Sequence, residues 1–99
     1  MKKMKKVEFI IEAVYTNRLL DLFKKHSISG YTIVKDIEGC GGHGLRTTDD
    51  LMDILSNVYV FTVCDESVYI EMQEDIRAFL SRYGGKCMLI DIMLLLGED

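Results

Sequence analysis

Apolar positions recur at steps of two in some stretches of this chain and at steps of three and four in others. Residues 7–14, Val7-Glu-Phe-Ile-Ile-Glu-Ala-Val14, are apolar and rich in branched side chains, with Glu8 and Glu12 on one side of a two-residue period. That pattern predicts a strand. Thr16 or Asn17 then supplies an N-cap for a helix over residues 18–26, with Leu19, Leu20 and Phe23 on one face. Lys24, Lys25 and His26 fall in its last turn, where cations complement the helix dipole, and Gly30 marks the exit. Residues 31–37 predict a second strand. Residues 57–64 predict a third, apolar throughout and therefore central or covered on both faces. Asp65 or Ser67 caps a second helix carrying Tyr69, Met72, Ile76, Phe79 or Leu80, and Tyr83 at helical spacing, and Gly84-Gly85 ends it. Residues 86–96 form the last strand.

The order βαββαβ predicts an α+β, ferredoxin-like fold over residues 1–99: a four-stranded antiparallel sheet with two helices on one face. No helix remains for the other face. Its apolar residues need a partner, which points to an oligomer. Residues 38–55 break the pattern with Gly39-Cys-Gly-Gly-His-Gly-Leu-Arg-Thr-Thr-Asp-Asp50, a long loop of the kind that carries function.

Charge and cysteines narrow the function classes. At 99 residues, 48% apolar and a net charge of −4, the chain has one core's worth of residues and no basic stripe for nucleic-acid phosphates. Tyr59 and Phe61 are the aromatics an RNA-recognition sheet would need, but the acidic balance opposes that reading. Three cysteines, Cys40, Cys64 and Cys87, at no metal-ligand spacing suit a reducing, cytoplasmic setting. The lysine-rich start looks like a signal-peptide n-region, but Glu8 and Glu12 break any apolar region behind it.

Two features could hold an anion. Gly39-x-Gly41-Gly42-x-Gly44 lets successive amides converge as a concave nest, against the plainer reading of a flexible loop. Gly84-Gly85-Lys86 places a compact cation after a tight turn, against the plainer reading of a helix C-cap and a surface lysine. Arg46 and Lys35 are further cations nearby in sequence. Cys40 and His43 are too few for a metal site, and no nucleophile lies beside a base.

Taken in order, these segments resemble the PII signal-transduction family, and more closely its PII-like branch. Ile28-Ser-Gly-Tyr-Thr32 resembles the family's G-x-T opening of the second strand. Gly39-Cys-Gly41 resembles the G-x-G at the root of its T-loop, here residues 38–55. Asp53-Ile-Leu-Ser-Asn-Val58 looks like the loop's re-entry, and Gly85-Lys86 before Cys87-Met-Leu-Ile-Asp91 like the B-loop turn and final strand.

The resemblance implies a homotrimeric, non-enzymatic sensor with an adenine nucleotide as effector in clefts between subunits and no tightly bound cofactor. Thr32 and the amides of Gly39 and Gly41 would line the cleft, Val58 would stand near the base, and Lys86 after Gly84 and Gly85 would meet phosphate. Gly42 and His43 stand where the family has arginine and glutamine, and its C-terminal arginines are missing here. Fewer cations imply fewer phosphates, so AMP, ADP or cyclic AMP is expected over ATP unless Arg46 folds back. The loop has no tyrosine for uridylylation. Relatives of this build accompany bicarbonate uptake and other membrane transporters, which makes bicarbonate and a transporter or enzyme the implied partners. The alternatives are a CutA-like trimeric metal-binding protein and a small ferredoxin-fold enzyme such as an acylphosphatase. The latter would need a glycine cradle that Tyr15-Thr-Asn-Arg-Leu-Leu20 lacks.

Overall fold

The structure, a computed structural model, describes residues 1–41, 44–46 and 56–95. In chain order the elements are β1 (Lys2–Glu12), a 3₁₀ turn (Ala13–Tyr15), α1 (Thr16–Lys25), β2 (Thr32–Ile37), β3 (Gly39–Gly41), β4 (Gly44–Arg46), β5 (Asn57–Cys64), α2 (Glu66–Tyr83) and β6 (Lys86–Leu94). Strands β2-β5-β1-β6 form one antiparallel sheet, and β3 and β4 pair as a separate ribbon.

Alternation along the strands decides which face is covered. Val7, Phe9 and Ile11 of β1 stand opposite Thr62, Val60 and Val58 of β5, and all six are buried. Leu19, Leu22 and Phe23 of α1 and Met72, Ile76 and Phe79 of α2 close over them. Phe9 and Phe23 meet edge to face at 5.6 Å, a geometry worth roughly 0.5–1.5 kcal/mol beyond the area buried. Thr62 is the buried polar side chain of this face; its hydroxyl donates to the Gly30 carbonyl at 2.5 Å and ties the α1–β2 connection to the sheet.

Several boundaries differ from the sequence reading. β1 begins at Lys2 rather than residue 7, because β6 is long enough to pair back to Lys2↔Leu94. Its lysines find acids there: Lys2 reaches Asp65 at 3.3 Å, and Lys5 bonds Asp91 and, at 3.2 Å, Glu66. Asp65 occupies the N-cap of α2 but makes no side-chain cap, its carboxylate being turned to Lys2 instead. Thr16 lies inside α1 and bonds back to the Ala13 carbonyl at 2.8 Å.

The exit of α1 is also earlier than Gly30. Ser27 takes φ +61°, its amide donates to the Lys24 carbonyl, and the Ile28 amide donates to that of Phe23. This is a Schellman ending with Ile28 packed against the core, formed without the usual glycine.

Candidate functional site

The strand register brings four element ends to one end of the sheet. Ile37 of β2 faces Asn57 of β5, Asn57 faces Glu12 of β1, and Lys86 opens β6 opposite Ile10. The Ala13 amide donates to the Ser56 carbonyl at 2.7 Å, clamping the return into β5 beside the end of β1. The ribbon root and the Gly84-Gly85-Lys86 turn therefore share an end. They lie on opposite edges, however, with β5 and β1 between them. Three inter-strand spacings amount to about 14 Å, far beyond the reach of one phosphate group. A single chain does not bring Lys86 to Gly39 and Gly41.

At the β6 edge the geometry is demanding. Gly84 and Gly85 have φ of +78° and +96°, and a Cβ on Gly85 would lie 2.6 Å from the Ile10 carbonyl oxygen and 2.9 Å from Ile11 Cγ2. The turn thus sits directly on the end of β1 and releases Lys86, exposed, on the sheet face away from the helices. Just before it, Tyr83 packs on Tyr15 at 4.7 Å, with the Arg82 and Arg18 guanidinium carbons 5.3 and 5.8 Å from its ring centre. Only the convergence of the start of α1 and the end of α2 brings these arginines together, so no local sequence pattern pairs them.

At the β2 edge the predicted residues spread along the strand. Thr32 begins β2, exposed and opposite Phe61, about 16 Å of strand away from Ile37. One ligand touching both would have to lie along the edge. The register shifts between Val34 and Ile37, and Asp36 there takes φ +58°. The bulge sets Lys35 and Asp36 against Val58, whose side chain is 3% exposed and committed to the core. Only its main chain could face a ligand.

Beyond the bulge, Gly39 pairs with Arg46 and Gly41 with Gly44. Over these described residues the ribbon is paired and extended, so neighbouring amides along Gly39–Gly41 point to alternating sides. Gly42 and His43 lie outside the described residues, as does the rest of the loop over 47–55.

The face opposite the helices holds a cluster with no counterpart among the candidates. Lys6 and Glu8 are two apart on β1, and Tyr59 lies diagonally across on β5. The Tyr59 hydroxyl donates to Glu8 Oε2, Lys6 Nζ stands 3.2 Å from the same oxygen, and Lys6 sits 4.5 Å from the Phe61 ring centre. The Tyr59 hydrogen bond, aided by Lys6, holds the Glu8 carboxyl below its ordinary value. Tyr59 is raised, first by burial and then by Glu8, and Lys6 is raised by hydrogen bonds to Tyr59 and Glu8. Burial, with a contribution from Glu8, pushes the Cys87 thiol up to about 11 and keeps it protonated at neutral pH. The sequence signal was Glu8 itself, an acid inside an apolar strand.

Among the described residues no group of three or more His, Cys, Asp or Glu side chains is arranged to hold a metal ion. Among them, too, no helix is long and apolar enough to cross a membrane.

Comparison with solved structures finds the same fold. CPII, a nitrogen regulatory PII-like protein from Thiomonas intermedia K12, solved with ADP, AMP and bicarbonate, superposes with a TM-score of 0.83 at 24% identity, covering 92% of this chain and 87% of that one. Its apo form gives 0.74 at 21% identity over 92% and 90%. A protein of Thermus thermophilus described as PII-like gives 0.73 at 22% identity over 91% and 87%. No curated protein matches the sequence. At such identities the likeness shows the fold, while the family model of nitrogen regulatory protein P-II matches residues 4–94, from the first sheet strand to the end of the last. With that match and this topology, the chain belongs to the nitrogen regulatory protein P-II family.

Proposed function

We propose that this protein is a PII-like regulatory sensor, a binding protein rather than an enzyme, which takes AMP, ADP or cyclic AMP in preference to ATP. One observation carries the reading: the two candidate half-sites share an end of the sheet but occupy opposite edges. Copies arranged around a common axis, with their uncovered sheet faces inward, would set the β2 edge of one against the β6 edge of the next. A homotrimer assembled in this way completes a cleft that one chain lacks.

In that cleft Thr32 and the main chain at Val58 serve the base end. Gly39, Gly41 and Arg46 at the ribbon, together with Gly42 and His43, would serve the phosphate end with Gly84, Gly85 and Lys86 of the neighbour. The solved relative with ADP, AMP and bicarbonate supports an adenine nucleotide and adds bicarbonate as a second effector. Signalling would run through residues 38–55, whose docking onto a partner such as a bicarbonate or other membrane transporter would depend on the ligand.

Calorimetry with AMP, ADP, ATP and cyclic AMP tests the ligand class. The expected outcome is micromolar or tighter binding of at least one, with Lys86→Ala weakening it about tenfold to a hundredfold through loss of a charged hydrogen bond. Absence of binding by all four at millimolar concentration refutes the reading. An unchanged affinity in the variant removes Lys86 from the site.

A further inference from the structure

We propose that Lys6, Glu8 and Tyr59 form an orientation lock in the contact between copies of this chain, a polar device set in the sheet face that the helices leave open. This rests on the assembly reading above and assigns a role within it to three residues that the nucleotide site does not use.

Beyond the cluster the face is mainly apolar, with Glu12 and Lys86 toward one end. Ile10, Val63, Met88, Ile90 and Ile92 alternate onto it from β1, β5 and β6, with Val34 from β2, and Val34 and Ile90 remain 46% and 41% exposed. Into this surface the chain puts an acid and a lysine whose partners already lie within the same chain. Glu8 Oε2 accepts from the Tyr59 hydroxyl and from Lys6, and the Lys6 ammonium rests on the Phe61 ring. The side chains of Lys6 and Glu8 are 28% and 14% exposed before any partner arrives. Surface charges ordinarily reach into water, whereas these fold down onto rings.

Such a cluster can be covered by another molecule without leaving an unpaired charge, which is the condition for burying ions at tolerable cost. It adds little affinity. Its effect is directional, since any docking that pries Lys6 or Tyr59 from Glu8 strands a buried carboxylate.

Charge balance identifies the occupant as a second copy. Lys2, Lys6 and Lys86 on this face are matched by Asp65, Glu8 and Glu12, so the surface attracts neither a basic nor an acidic partner preferentially. A face of mixed sign and apolar surroundings complements itself, and a symmetric assembly needs that of it.

Native mass spectrometry and sedimentation over a micromolar concentration series test this on the full chain. The variants are Glu8→Gln, Tyr59→Phe and the triple change Lys6→Met, Glu8→Leu, Tyr59→Phe, with circular dichroism to confirm folding. Wild type should form one oligomeric state. Glu8→Gln should weaken its dissociation constant at least about tenfold, by leaving Lys6 with a neutral partner. The triple variant should associate as tightly as wild type or more so, but distribute over more than one oligomeric state. A wild-type oligomer whose affinity and state are the same in all variants overturns the lock and leaves the assembly standing. A wild type that stays monomeric across the whole series overturns the assembly as well, and assigns the face to another partner.

Discussion

Gly85 and Ser27 show two opposite relations between a residue and its backbone. Gly85 closes the turn before β6 at φ +96°, with the space for a Cβ taken by main chain of Ile10. A strand carbonyl cannot yield as a flexible side chain can. Gly85→Ala should therefore cost about 2–4 kcal/mol of stability, strain and overpacking together. Gly84, with nothing within 4 Å of its would-be Cβ, should lose only the backbone term when changed to Ala. Ser27 is the reverse case, a side chain where φ +61° favours glycine. Ser27→Gly should gain roughly 0.5–1 kcal/mol, since relief of the left-handed strain exceeds the added chain entropy. Urea denaturation of the three variants checks the order. A stabilised Gly85→Ala or a destabilised Ser27→Gly would contradict the turn geometry.

At the scale of elements, the two helices are joined to each other as well as to the sheet. His26, at the end of α1, sits 2.7 Å from Asp75 Oδ2 on α2, and Lys25 reaches the same oxygen at 3.0 Å. The His26 hydrogen bond first, and Lys25 second, hold Asp75 below the ordinary aspartate value of 3.8. A carboxylate lowered in the folded state adds stability above the unfolded value, and that stability is lost as pH falls through the lowered one. Asp75→Asn should accordingly be less stable than wild type at pH 7, and the gap should narrow toward pH 3. Denaturation curves at the two pH values read it directly, and an equal gap at both would remove Asp75 from the acid dependence.

The elements also show what a chain discloses before it folds. β5 was legible to the residue, Asn57–Cys64, because a strand between two neighbours must be apolar on both faces or nearly so. The first residues of β1 were not, since Lys2, Lys3, Lys5 and Lys6 carry no apolar period. Their strand state comes from β6 and from acids on α2 and β6. The ribbon was hidden because its glycines permit many conformations and pairing selects one. The Gly-Gly-Lys turn was visible as a motif, yet its distance from Gly39 and Gly41 depends on strand order, a property no local pattern holds. The Lys6–Glu8–Tyr59 cluster needed the β1–β5 register, which moves a whole face if it slips by one residue.

At the scale of the whole molecule, the proposed assembly takes each chain as half of a binding site twice over. One end of its sheet carries a ribbon root on one edge and a cationic turn on the other, separated by about 14 Å. One face is closed by helices and the other is mainly apolar, with charges of both signs, and open. In the proposed assembly both incompletenesses would be relieved by the same act, the approach of further copies with sheet faces inward. The cleft would then belong to a pair of chains, and ligand binding would be coupled to how they meet.

A crystal structure of the protein grown with AMP tests this most directly. It should show a trimer with the nucleotide between chains, its base along the β2 edge near Thr32 of one copy and its phosphate within hydrogen-bond distance of Lys86 of the next. A nucleotide enclosed wholly within one chain, or a trimer whose clefts stay empty at saturating AMP and ADP, would contradict it.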